Sequence, residues 1–479
     1  MKKIFIFITA ITLLICCKRN ESEVVPPQQN DTIVNKDTTT IPKDTIPNDT
    51  IPKDTIPNDT TSQIDTTYTA QHLQSAIDRA LPMTGLVLWP YNAKERDSEF
   101  RKSIALEFAY CLPCRVVTGK TNGSVQYDWS SFDELLDDIA SRDHQAVIRF
   151  RYEYPSGTEV DGKKGTTAVP QYIKDLPDYN ETYNSNAGGD GPTYYADWSN
   201  TELQWFTKQF YTDFCARYAN DPRLAFLEVG FGHWSEYHIY GTTLTLGQNF
   251  PSKQYQKEFF QHLSQVANGL PWLVSIDAGD DTYSPLPNDN SFNALHFGLF
   301  DDSFMHKEHE IGSGDGWNEQ MWNMSGKDRW KHSPCGGEVS YYTESDQHNF
   351  LSPQGIYGVT WEQAATKYHI TFMNSNDATD GSYGTAKRFL EASKVTGYRF
   401  EITELKSNQT TTILTIKNIG NTPIYRPAFV EINGVRSEFN LMQLQPAQSA
   451  TLRFNTSGEL QVRIVSGFTL IDIPFEANL

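Results

Sequence analysis

An α/β barrel of eight parallel strands, followed by a small all-β sandwich, is the fold class this sequence predicts. Three observations point to it. Beyond Tyr68, short apolar runs alternate with longer stretches of helical period, the mark of repeated βα units. Eight such runs occur before residue 396. From Gly397 onward the helical period gives way to alternating strands with turn punctuation, as in a sandwich. The expected organisation is a leader over 1–17, a stalk over 18–67, the barrel over 68–395 and the sandwich over 396–479.

The leader has Lys2 and Lys3 ahead of the apolar run Ile4–Ile15 and ends in Cys16-Cys17. That run is too short for a permanent membrane span. Leu14-Ile15-Cys16-Cys17 resembles a bacterial lipoprotein signal with Cys17 as the lipidated residue. The resemblance implies an exported protein of the cell envelope, periplasmic or surface-exposed, tethered by acyl chains alone. The stalk repeats DTIPN and DTIPK between Asp44 and Asn58. Proline every fifth residue blocks helix and sheet, so a disordered, extended spacer is expected. Its Asp-Thr triplets resemble the O-glycosylation signal of some exported bacterial proteins.

About 410 residues follow the stalk, enough for a barrel plus an accessory domain. The expected barrel strands are Leu86–Asn92, Ile104–Tyr110, Ala146–Tyr152, Leu224–Gly230, Trp272–Asp277, Ala294–Phe300, Gly337–Tyr342 and His369–Asn374. Helices are expected over Ser130–Arg142, Glu202–Tyr218, Ser252–Asn268 and Thr360–Tyr368, each with apolar residues three to four apart. Asp128 or Ser130 can cap the first and Thr360 the last. Ser156–Asn200 is a long excursion after the third strand, rich in Gly, Tyr, Asn and Asp, and reads as a wall of a cleft. In the sandwich, Asn433-Gly434 is a hairpin signal. The sandwich is expected to close the barrel more than to bind a ligand, because no exposed aromatic row is evident.

Formal net charge is −19, and loss of Lys2 and Lys3 with the leader makes it more negative still. Nucleic acid and anionic membrane surfaces are poor partners for such a chain. Aromatic residues reach 13%, with many at strand ends, where they suit stacking on sugar faces. Cys111, Cys114, Cys215 and Cys335 follow the leader. A local 111–114 bridge is one possible pairing, and the CxxC lacks the second pair a zinc site needs. No metal and no cofactor are expected. The sequence has no phosphate-cradling Gly loop, no Gly-x-Ser-x-Gly elbow and no His-Glu-x-x-His.

The chemistry is expected at the strands' C-terminal ends, where barrels carry their sites. The fourth strand runs LAFLEVGFGHWSEYH, putting Leu227, Val229 and Phe231 on one face and Glu228, Gly230 and Gly232 on the other. Beyond it stand His233, Trp234, Glu236 and His238. Glycines inside a strand mark a close approach to the backbone. On the third strand Arg149, Arg151 and Glu153 share a face, and Arg149 needs anions, for which Glu228 and Glu107 are the partners expected by register. Arg151 and Glu153 lean toward the site. The seventh strand brings Glu338 behind the Gly336-Gly337 pair. The fifth, sixth and eighth add Asp277 with Asp280, His296 with Asp301, and Asn374 with Asn376. Carboxylates, imidazoles, amides and Trp together compose a carbohydrate site.

Five motifs, VIRFRYEY (147–154), GFGHWSEYH (230–238), Gly-Gly-Glu (336–338), HITFMNSN (369–376) and GYRF (397–400), resemble in this order an uncharacterised bacterial family. Its members are glycosidase-like barrels closed by a C-terminal β-sandwich. More distantly, glutamates on strands four and seven resemble the clan of retaining glycoside hydrolases. That clan usually has Asn directly before its fourth-strand acid, whereas Ser235 precedes Glu236 here. The expected function is a lipid-anchored glycoside hydrolase acting on a polysaccharide or other glycan. Glu236 would be general acid/base and Glu338 nucleophile or general base. Arg151, Glu153, His233 and His238 would hold hydroxyls, Trp234 would stack, and Asp277, His296 and Asn374 would line the cleft. The alternatives are a non-catalytic glycan-binding lipoprotein on the same barrel, and a stalked surface protein.

Overall fold

Eight parallel strands close into a barrel: β1 (Gly85–Leu88), β2 (Leu106–Cys111), β3 (Gln145–Phe150), β4 (Leu224–Val229), β5 (Trp272–Ser275), β6 (Gly298–Phe304), β7 (Cys335–Val339) and β8 (Phe372–Asn374). The computed structural model describes residues 67–479 apart from 156–158, 161–162, 165, 239–242 and 308–315. The leader with Cys17 and the Asp-Thr-Ile-Pro repeats lie outside the described residues.

Period-2 alternation sorts the strands' side chains. Leu86, Leu88, Ile148, Phe150, Leu227 and Val229 join the layer between strands and helices. Val87, Phe108, Val147, Phe226, Phe300 and Phe372 fill the barrel instead. There Phe226 of β4 stacks on Phe372 of β8, with ring centroids 5.0 Å apart. Glu107 falls on the helix side, contrary to its expected pairing with Arg149. It is fully buried against Arg142 (2.8 and 2.7 Å) and His144 (2.7 Å).

The connecting helices include α1 (Pro90–Glu95), α2 (Ser130–Ala140), α3 (Thr201–Tyr218), α4 (Lys253–Val266), α5 (Trp317–Gly326), α6 (Trp361–Lys367) and α7 (Ala386–Ser393). In α2, Phe132, Leu136 and Ile139 are buried at the expected spacing. Thr360 forms a full capping box with Gln363 on α6. Asp128 accepts from the Ser130 N–H and hydroxyl beside the start of α2, where Trp129 is the N-cap. Between β5 and β6 stand three short 3-10 turns in place of a long helix.

Strand ends differ from expectation for local reasons. Pro90 opens α1 at the first helical turn, so β1 stops at Leu88. Asn290–Ala294 is a 3-10 turn capped by Asp289, which delays β6 to Gly298. β7 starts earlier than expected, at Cys335, and needs both glycines that follow. A Cβ on Gly336 would lie 2.3 Å from the Phe372 ring, and one on Gly337 (φ +129°) only 2.1 Å from the Asp301 carbonyl oxygen. Gly337→Ala is therefore expected to destabilise the fold by roughly 2–4 kcal/mol, read as a lower urea midpoint at unchanged slope.

Beyond the barrel, β9 (Phe400–Ser407), β10 (Thr412–Asn418) and β12 (Ser449–Phe454) form one sheet with β14 (Glu476–Asn478). β11 (Phe429–Ile432) and β13 (Val462–Val465) form the other with the short strand Val435–Arg436. Asn433 and Gly434 make the hairpin turn, both at positive φ (51° and 80°). Thr69–Ala70 and Gln74–Ser75, ahead of the barrel in sequence, pair with β9 and β14. The sandwich's Tyr398, Phe400, Ile402 and Leu414 belong to the same apolar cluster as the barrel interior. Fully buried Arg426 donates to the carbonyls of Ala219 and Gly269, just past the ends of α3 and α4. The four cysteines beyond the leader form no disulfide.

Candidate active site

The C-terminal ends of β2, β3, β4, β6 and β7 converge on one guanidinium. Arg149 on β3 is completely buried and grips Glu228 of β4 through Nε and Nη2 (2.9 and 2.6 Å). Its Nη1 reaches Glu236 Oε1 at 2.7 Å and Asp302 Oδ2 at 2.7 Å. The Phe300 ring lies 4.3 Å beneath the same cation. Tyr110, at the end of β2, donates to Glu236 Oε1 at 2.8 Å. Both donors to Glu236 land on Oε1, which leaves Oε2 to carry a proton. Across the mouth, Glu338 accepts from Asn374 Nδ2 at 3.2 Å.

One cation thus faces four carboxyls. Burial pushes the Glu236 carboxyl well above the usual range, and the charge of Asp302 adds to this while Arg149 opposes it. Burial, then Asp302, pushes Glu338 up to about 8, and Glu228 rises to about 7 through burial, against Arg149. Glu236 and Glu338 each feel Asp302 and Arg149, and Tyr110 feels both glutamates. The two acids therefore belong to one electrostatic cluster and lose their protons in coupled steps.

A stability consequence follows from these directions. A carboxyl whose folded pKa lies above its unfolded value binds more protons when folded. Its stabilising contribution is complete below the ordinary carboxylate range and is lost as pH rises through about 8 for Glu338. Glu338→Gln should flatten this slope, making the variant more stable than the parent at pH 9 by of order 2 kcal/mol and no more stable at pH 4. Thermal unfolding at the two pH values checks it.

The loop after β4 holds Glu236 in unusual backbone. Trp234, Ser235 and Tyr237 all have positive φ (54°, 62° and 61°), as does Gly232 (78°). Short bonds over-determine it: Trp234 N–H to Glu153 O (3.2 Å), Glu236 N–H to His233 O (3.0 Å) and Tyr237 N–H to Phe231 O (2.9 Å). The Tyr237 hydroxyl is buried on Gln256 of α4 (3.0 Å). Gly230 is the close approach anticipated in this strand, since a Cβ there would sit 2.1 Å from Ser235 O.

Rings line the mouth in a run: Trp89–Tyr110 (5.6 Å), Tyr110–Tyr154 (6.3 Å), Tyr154–Trp234 (6.0 Å) and Trp234–His238 (5.2 Å). Arg151 packs on Tyr154 at 4.2 Å, and its buried Nε and Nη1 have no hydrogen-bond partner among the described residues. An orphaned buried donor pair at a mouth is suited to an oxygen of a bound molecule. Asp277, at the end of β5, is raised by burial and by neighbouring Asp301 and Asp302.

Three expected ligand-holding residues are placed differently. Glu153 is 1% exposed and accepts from the Ala196 N–H (3.1 Å), so it fastens the long excursion and does not face the mouth. His233 is fully buried between Tyr195 and Asp190 and does not face the mouth. His296 stacks on His332 (5.3 Å) ahead of β6, at the barrel's other end, because that strand starts four residues later than expected. Two residues of the cluster, Tyr110 and Asp302, escaped the sequence reading. Tyr110 continues the inward parity of Leu106 and Phe108. Asp302 continues that of Phe300 but lay past the expected strand end, beside a register shift between β6 and β7.

The fold and site define an eight-stranded α/β barrel with a buried carboxyl cluster at its C-terminal mouth. No family model matches the sequence, and no curated protein matches it. Solved structures similar to it are glycoside hydrolases of the TIM-barrel clan. The catalytic domain of a β-amylase from Paenibacillus polymyxa aligns with TM-score 0.40 at 10% identity, over 65% of this chain and 98% of that one. Endo-glycoceramidase II from Rhodococcus sp. gives 0.38 at 11%, over 81% and 100%. A monomeric β-xylosidase from Caulobacter crescentus CB15 gives 0.35 at 11%, over 85% and 96%. At such scores no residue's role is carried over from them, and the site stands on its own geometry.

Proposed function

We propose that this protein is a glycoside hydrolase that cleaves a polysaccharide or other glycan with Glu236 and Glu338. The observation that carries the reading is the shared cluster: two carboxyls, Glu236 in the loop after β4 and Glu338 on β7, both pushed above the ordinary range by burial, beside a run of aromatic rings. Glycoside cleavage needs one carboxyl that keeps its proton for the leaving oxygen and one that ionises. Glu236, its carboxyl held well above the ordinary range by burial and by Asp302, serves as general acid/base. Glu338, on β7, serves as nucleophile or general base. Trp234 and Tyr154 offer apolar faces to a sugar ring, and Arg151 and His238 offer donors to its hydroxyls. Asn374 orients Glu338. Arg149 keeps the cluster's charge near balance and is a positioning residue.

The reading includes export and attachment of the chain to the cell envelope by acyl groups on Cys17, with the repeat stalk as spacer. No helix among the described residues is long and apolar enough to cross a membrane. A reducing-sugar screen of the purified protein against a glycan panel tests the activity, and the anomer first released, followed by NMR, decides retaining from inverting chemistry. Glycan binding without cleavage across the panel would replace this reading by a non-catalytic glycan-binding lipoprotein.

A further inference from the structure

We propose that Asp190, His233 and His238 form a binding site for a divalent transition metal ion, zinc by its ligand chemistry. The three residues come from distant parts of the sequence. Asp190 lies between the two strands of a hairpin in the long excursion, Thr182–Asn184 and Thr193–Tyr195. His233 and His238 flank the loop that carries Glu236. One oxygen, Asp190 Oδ2, stands 3.3 Å from His233 Nδ1 and 3.1 Å from His238 Nε2, and all three ligand atoms lie within 4.8 Å of one another.

Ligands about 2.0–2.1 Å from a tetrahedral ion lie roughly 3.3 Å from each other. Asp190 Oδ2 already stands near that separation from both imidazoles, and the two imidazole nitrogens, within 4.8 Å of each other, need only turn toward the ion. Two imidazoles and a carboxylate are a zinc donor set that leaves a fourth position for water. The surroundings supply the outer partner such sites use. His233 Nε2 is 2.7 Å from the hydroxyl of buried Tyr195, which fixes the ring with Nδ1 turned toward Asp190. The two imidazole planes lie 16° apart and present their nitrogens to the same oxygen. Asp190 is 27% and His238 29% exposed, with His233 fully buried behind them.

The ion would pin the excursion onto the strained loop and so fix the backbone on either side of Glu236. It takes no part in bond cleavage, since the donors on Glu236 are Tyr110 and Arg149. The inference does not depend on glycoside cleavage, because it stands on ligand geometry alone. Spacing rules in the sequence miss it, because the carboxylate precedes the first imidazole by 43 residues.

The full mature chain, stripped with a chelator and dialysed, should take up one equivalent of Zn²⁺ with micromolar or tighter affinity in calorimetry. Its unfolding temperature should rise with zinc concentration. His238→Ala and the isosteric Asp190→Asn, both at part-exposed positions and both checked for parent-like circular dichroism, should lose that uptake and the thermal shift. Failure of the parent to bind stoichiometric zinc would overturn the proposal and leave Asp190 as a plain hydrogen-bond acceptor. Undiminished binding by both variants would overturn it as well, by placing the zinc elsewhere.

Discussion

Glu236→Gln and Glu338→Gln should each lower glycan turnover by about 10³-fold or more, a loss of roughly 4 kcal/mol in transition-state stabilisation, while circular dichroism stays that of the parent. The two losses should differ in kind. Glu236 serves the leaving oxygen, so Glu236→Gln should retain much of its rate on aryl glycosides whose leaving group departs without a proton. Glu338→Gln should be inactive on both kinds of substrate. In the parent, Glu338 must be ionised, so kcat/KM should rise with pH through about 8. Full turnover by either variant on natural glycan would remove that residue from the mechanism.

The second large effect concerns Arg149. Replacing it by Met keeps an unbranched apolar stem, loses the guanidinium over the Phe300 ring and removes the only cation that touches Glu228, Glu236 and Asp302 among the described residues. Breaking a buried pair from one side costs about 3–5 kcal/mol, because the partner's charge remains without compensation. Arg149→Met should lose that much in urea unfolding at pH 8 and less at pH 5, where more of the carboxyls carry protons. Adding Glu228→Gln to Arg149→Met should recover part of the loss, since the amide needs no counter-charge. A parent-like urea midpoint for Arg149→Met would show that the cluster is already neutral without it.

The fold was legible where one residue's period decides. All eight barrel strands lie near their expected places, because each is buried and its apolar run is bounded by polar or Gly-Pro turns. Thr360 and Asn433-Gly434 acted as their local chemistry dictates. The site was legible only in part. Glu228 followed from Arg149 by register, whereas Glu107 did not, because a buried acid can face the helices as well as the barrel. His233 and Glu153 sit in a dense polar loop but turn inward to the excursion, a long-range choice that neighbouring residues do not encode. Asp302 was lost to a 3-10 turn that displaced a whole strand, and nothing local marks Tyr110 beyond its place at the end of β2.

The apolar cluster shared by Phe108, Phe226 and Phe300 with Phe400 and Ile402 has a practical consequence. A shortened version ending near residue 395 would present the underside of its barrel to water as a bare aromatic floor, and would lose the Arg426 clasp on two helix ends. Such a fragment should precipitate and should not survive as a free-standing enzyme. In calorimetry the intact protein should melt in a single transition, barrel and sandwich together.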